Sequence, residues 1–97
     1  MLRITLVSRT SEEEVHALEG WIAGEELEVL RQTCGPAADR GTRLVLDLHG
    51  VRSIEDNGID LLGSWAEGGR VRLRRPSAYV RQLLVSRGLG CSLDEEP

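Results

Sequence analysis

The sequence predicts a two-layer α/β fold, a mixed four-stranded sheet in the order β-β-α-β-α-β-α with helices mainly on one face. Three observations predict it. Short segments alternate apolar and polar residues with the two-residue period of a strand. Others place apolar residues three and four apart, the stripe of an amphipathic helix. After the first two strands the two kinds alternate, which makes the second, third and fourth strands parallel, joined by right-handed crossovers.

The first strand is "LRITLV" (2–7), with Leu2, Ile4 and Leu6 on one side and Arg3, Thr5 and Val7 on the other. "SRTSEEE" is a polar turn. The second strand is "EVHALEG" (14–20), where Val15 and Ala17 oppose His16 and Leu18, and Gly20 is expected to end it. A short loop leads to the first helix, with Gly24 as N-cap and Glu25 and Glu26 suited to its positive end. Leu27, Leu30, Arg31 and Cys34 form its stripe, and Gly35-Pro36 is expected to stop it.

The third strand, "RLVLDLHG" (43–50), is the strongest: Leu44, Leu46 and Leu48 face one way, Val45 and Asp47 the other. The second helix carries Ile59, Leu62 and Trp65 at helical spacing and ends at Gly68-Gly69. The fourth strand, "RVRLRR" (70–75), turns Val71 and Leu73 inward and Arg72 and Arg74 outward. Pro76 breaks it. Ser77 caps the last helix, whose stripe is Val80, Leu83, Leu84 and Arg87, and Gly88 with Leu89 reads as a Schellman stop. Residues 1–90 form a single domain and 91–97 a frayed acidic tail. A parallel strand buried on both faces is continuously apolar. Asp47, Arg72 and Arg74 break that rule, so one sheet face stays wet.

Composition narrows the function. Ninety-seven residues, 40% hydrophobic and 29% charged, suit one globular domain. A net charge of −4 argues against a nucleic-acid binder, which needs a basic face and stacking aromatics. "RVRLRRP" is a local basic patch, read as a solvated strand edge or an acidic-partner contact. Apolar runs such as "LVL" and "LLV" are far too short to insert in a membrane. The N-terminus has no signal-peptide pattern, so a complete cytoplasmic chain is expected. Cys34 and Cys91 are spaced for neither a disulfide motif nor zinc, and are expected as reduced thiols. His16 and His49 read as structural. No metal or cofactor is expected.

"SIEDNGIDLLG" (53–63) sits where the third strand hands over to the second helix. Gly50 to Ser53 reads as a loop off the strand's carboxyl end, and the helix as starting near Asn57-Gly58. Open α/β sheets bind at that edge. A helix start offers free N–H groups and a positive dipole end, which accounts for Glu55, Asp56 and Asp60. Asp56 also reads as an N-cap. Glu55 and Asp60 are solvated charges, with no saccharide cleft for a glycosidase pair. A calcium loop is excluded because Ser53 stands first and no Glu stands twelfth. No enzyme activity is expected.

"RLVLDLHGVRSIEDNGIDLLGSW" resembles the central motif of the STAS domain family, the bacterial anti-sigma-factor antagonists. "HALEGWIAGEELEVLR" and "RVRLRRPSAYVRQLLVSRGL" are similar to the family's flanking elements, so the likeness covers nearly the whole chain. It implies a STAS-like fold and a non-enzymatic protein-binding module in a bacterial partner-switching system, whose partner is an anti-sigma factor or serine kinase. The implied docking residues are Glu55, Asp56, Asn57, Gly58 and Asp60. In many members the residue before the motif Gly is a phosphorylated hydroxyl. Here it is Asn57, so no phospho-switch is expected at that position; Ser53 is the nearby hydroxyl left as phosphoacceptor. An accessory subunit of a lipid or other membrane transporter assembly is the alternative, and a small-ligand binder the second. Partner identity, pathway and oligomeric state are not written in the sequence.

Overall fold

The structure is a computed structural model that describes residues 1–94. Its strands are β1 (Leu2–Arg9), β2 (Glu13–Ile22), β3 (Arg43–Ile54), β4 (Val71–Arg74) and β5 (Leu93–Asp94), and its helices α1 (Glu26–Asp39), α2 (Asp56–Ala66) and α3 (Ala78–Ser86). The sheet order is β1-β2-β3-β4-β5. β1 runs antiparallel to β2, and the remaining neighbours are parallel. The mixed sheet and the element order through α3 are those expected. The strand count is five rather than four.

One core joins sheet and helices. Leu44, Leu46 and Leu48 are fully buried and cluster with Leu27, Leu30, Cys34, Ile59, Leu62, Val80 and Leu84. Val71 and Leu73 sit in register beside Leu44 and Leu46 and join the same cluster. Val15 and Val45, on the alternate side of the pleat, are buried outside it. All three helices therefore serve one sheet face.

Glycine and proline misled at three places. β2 runs through Gly20 to Ile22, because Gly20 takes φ +103 at an irregularity in the ladder rather than at a turn. β3 does not loop out at 50–53; it reaches Ile54, with register shifts against β2 that interrupt the alternation. α1 passes through Gly35-Pro36. Its last turn continues past Pro36 and carries Ala37, 1% exposed, into the core. The real stop is six residues beyond Gly35, at Gly41 (φ +74): Gly41 N–H donates to Ala38 O at 3.2 Å and Thr42 N–H to Ala37 O at 3.1 Å, a Schellman pair.

α3 follows its expected caps. Ser77 Oγ accepts from Val80 N–H at 3.2 Å, and beyond Gly88 (φ +84) Leu89 N–H donates to Leu84 O at 2.9 Å. The chain then differs from the expected frayed tail. Gly90–Ser92 forms a 3₁₀ turn, and β5 pairs Leu93 with Leu73, leaving Leu93 4% exposed. Of the residues expected to fray, 95–97 lie outside the described residues. No described helix is long and apolar enough to cross a membrane.

The basic run is tied down. Arg70 donates to Gly41 O, Arg72 to Cys91 O and Leu93 O, and Arg74 pairs with Asp94. Arg75, at φ 54, pairs with Asp47. Burial pushes the Asp47 carboxyl up, but the Arg75 and His49 hydrogen bonds and the Arg75 charge outweigh it and hold it below its ordinary value.

Candidate docking site at the start of α2

β3 delivers the chain straight into α2. Glu55 is the N-cap residue, still extended at φ −74 and ψ 163. Its N–H donates to Ile22 O at 3.0 Å, and its Oε2 accepts from Gly24 N–H at 3.3 Å. Glu55 thus fastens the ends of β2 and β3 to the turn before α1, and its side chain does not cap its own helix. Gly24 is not the N-cap expected for α1; it lies in the left-handed region at φ +57, one residue ahead of the capping Glu25.

α2 begins at Asp56, one residue before the expected start. Asp56 is therefore not the N-cap but the first helical residue. It pairs with Arg87 at 3.0 Å, and the other Arg87 nitrogen reaches Asp60 at 3.0 Å. Both carboxylates are well exposed, so each pair contributes at most about 0.2–1 kcal/mol. Arg87 was visible in the sequence as the charged member of the α3 stripe; only packing shows what it faces.

The first intrahelical bond runs from Ile59 N–H to Glu55 O at 3.0 Å. The N–H groups of Asp56, Asn57 and Gly58 precede it and sit at the positive end of the helix. Asn57 is exposed and lines an open groove of about 520 Å³ between α1 and α2, with Leu27, Arg31, Asp60 and Leu61 among its other walls. Gly58 is buried beneath: a Cβ there would stand 2.9 Å from Ile22 Cγ2 and 2.9 Å from Ile54 Cγ2. The helix start is thus pressed onto the strand ends, with Asn57 displayed above.

Glu55, Asp56, Asn57, Gly58 and Asp60 therefore share one corner. Ser53 does not join its helical side. It lies half-buried in β3, in register with Trp21, on the sheet face away from the helices.

A second polar cluster was not read from the sequence. Glu14 and His16, 3% and 2% exposed, lie on the helix-covered face in register with Leu44 and Leu46. His16 Nε2 donates to Glu14 Oε1 at 3.0 Å, while Arg40 and Arg9 reach Glu14 Oε2 at 2.9 and 3.3 Å. The His16 hydrogen bond, helped by the three neighbouring charges, outweighs burial and holds the Glu14 carboxyl below its ordinary value. The dyad is sealed from substrate, so it fastens β1, β2 and the end of α1 rather than performing acid–base chemistry.

A family model described as "Mlab, STAS domain" matches residues 5–93. No curated protein sequence matches the chain. Solved structures that share its fold include two of SpoIIAA. The anti-sigma factor antagonist SpoIIAA in its unphosphorylated form superposes with a TM-score of 0.78 at 21% identity, over 100% of this chain and 89% of that one. The Bacillus cell fate determinant SpoIIAA in the phosphorylated form gives 0.72 at 20% identity, over 100% and 92%.

Proposed function

Because the chain belongs to the STAS domain family, we propose that it is a non-enzymatic protein-binding module of the anti-sigma-factor-antagonist type, docking through the start of α2. One observation carries this: Asn57 is displayed on the groove between α1 and α2 while Gly58 beneath it is wedged against Ile22 and Ile54. A rigid, exposed helix start is a surface a partner can read without refolding it.

The SpoIIAA structures include a phosphorylated and an unphosphorylated form. A phosphate at a helix start adds nearly two negative charges, enough to change partner binding. Asn57 carries an amide and no hydroxyl, so a switch at this position is removed and the module is held in the uncharged, partner-competent state. The partner on this reading is an anti-sigma factor or serine kinase.

Asn57 also favours a second reading, an accessory subunit of a lipid or other membrane transporter assembly. A constitutively bound subunit needs no phosphoacceptor. Affinity capture with wild type and Asn57→Arg separates the two. An ATP-binding kinase-like protein held by wild type and lost by the variant supports the first reading, and a transporter ATPase behaving so supports the second. A partner that ignores the variant removes the corner from both. A small-ligand binder would instead show a saturable shift with no protein partner.

A further inference from the structure

The ends of β2 and β3 leave a notch on the sheet face away from the helices. Trp21 and Ser53 are register partners there, and Trp21 is 54% exposed. Together with Ala23 and Glu55 they line a cavity of about 260 Å³. Ala23 and Ser53 are small, so the indole and the carboxylate are its two large walls. The carboxylate is held in place, since Glu55 N–H is bonded to Ile22 O and Glu55 Oε2 to Gly24 N–H. Glu55 Oε1 has no partner among the described residues.

We propose that this notch receives one cationic side chain, Arg or Lys, from the protein partner, with its stem and charge against the Trp21 ring and its N–H groups on Glu55 Oε1. The inference rests on the reading of the α2 start as a docking corner, and it names the chemistry that the partner brings there. An indole face attracts a cation within about 6 Å of the ring. A carboxylate with a free oxygen adds a charge-assisted hydrogen bond. A purely apolar occupant would strip water from Glu55 without replacing it, and an acidic one would be repelled. Exposed Trp beside a fixed polar group is also the composition of an interface anchor.

The probe is the peptide acetyl-Gly-Arg-Gly-amide, with the Gln peptide as control, titrated into isotope-labelled protein and followed by amide and indole NMR shifts. The Arg peptide should move the Trp21 indole N–H and the Gly24 and Glu55 amides saturably, leave the Trp65 indole still, and lose effect with added salt. The Gln peptide should not act. Affinity should fall about tenfold in Glu55→Gln, whose amide oxygen can still accept from Gly24 N–H while its charge is gone. Trp21→Ser should abolish the response of the Gly24 and Glu55 amides, and an unchanged response there would overturn the proposal. No shift at the notch, equal affinity in Glu55→Gln, or shifts scattered over acids elsewhere would overturn the proposal. The two readings fail separately: with no peptide response, a captured partner that still discriminates Asn57→Arg leaves the docking corner standing and removes only the cation site.

Discussion

Gly58 of α2 lies so close to Ile22 of β2 that a Cβ at position 58 would stand 2.9 Å from Ile22 Cγ2 and 3.1 Å from the Ile22 carbonyl oxygen. Helix propensity alone favours Gly58→Ala by about 1 kcal/mol. Overpacking against a second wall, Ile54, costs about 1–3 kcal/mol. Packing wins because a backbone oxygen cannot move aside as a side chain can. Gly58→Ala should lower unfolding free energy in denaturant titration; a stabilised variant would show that α2 does not rest on β2 in this way.

Asn57 separates fold from binding. Asn57→Asp adds negative charge at a helix start, neutral or favourable to the fold by roughly 0.3–1 kcal/mol. Docking would bury that carboxylate in a groove that already holds Asp60 and Glu28, so partner affinity should fall about tenfold or more. Asn57→Ser should bind like wild type. Kinase and ATP should leave Asn57 unmodified in mass spectra, and phosphate on Ser53 would reveal a switch elsewhere. Affinity measured beside thermal unfolding tests the set, and equal affinity for all three proteins counts against the corner.

Glu14 should govern the acid limb of stability. Its folded pKa lies below the ordinary value of 4.5 because His16, Arg9 and Arg40 favour the charged form. The unfolded chain therefore binds the proton more readily. The contribution is fully present above about pH 4.5 and drains away as pH falls through the folded pKa. Glu14→Gln should cost about 1–3 kcal/mol at neutral pH. It should also flatten the fall below pH 4.5. An acid limb as steep as wild type would assign that fall to other carboxylates, Asp47 first.

The thiols should differ in reactivity. Cys34 is fully buried, and burial with the nearby Glu14 charge pushes its thiol up to about 12. Cys91 is exposed. A disulfide reagent at mildly alkaline pH should modify Cys91 in the native protein and Cys34 only after denaturant is added, because the thiolate is the attacking form. Rapid native labelling of Cys34 would mean that α1 opens readily.

Leu46 tests the core. It is fully buried between sheet and helices, so Leu46→Ala should cost about 2–5 kcal/mol, the lost transfer energy plus a cavity. A loss well under 1 kcal/mol in chemical denaturation would place the core elsewhere.

Much of this architecture was legible because its signals are local. Leu44, Leu46 and Leu48 recur at the two-residue period of a strand; Ser77 and Gly88 mark α3 because caps are satisfied by atoms three to five residues away. The corner was placed by the same means, as acids and Asn-Gly at a strand-to-helix junction. Gly20, Gly50 and Gly35-Pro36 were misread because a bulge, a turn and a helix stop draw on the same residue types. Which one forms depends on the neighbouring chain: β2 against β3 for the glycines, the buried Ala37 for the helix.

By itself, then, the sequence determined a mixed α/β sheet with one helical layer, because side-chain periodicity reports the face each residue must bury. Only the tertiary structure decided how far β3 runs, that Leu93 adds a fifth strand, that Arg87 spans Asp56 and Asp60, and that Glu14 and His16 are buried together. The reason is physical. Register shifts, ion pairs and buried polar contacts join residues from 2 to 32 positions apart here, and their energies come from the partner that folding brings, which no local pattern records.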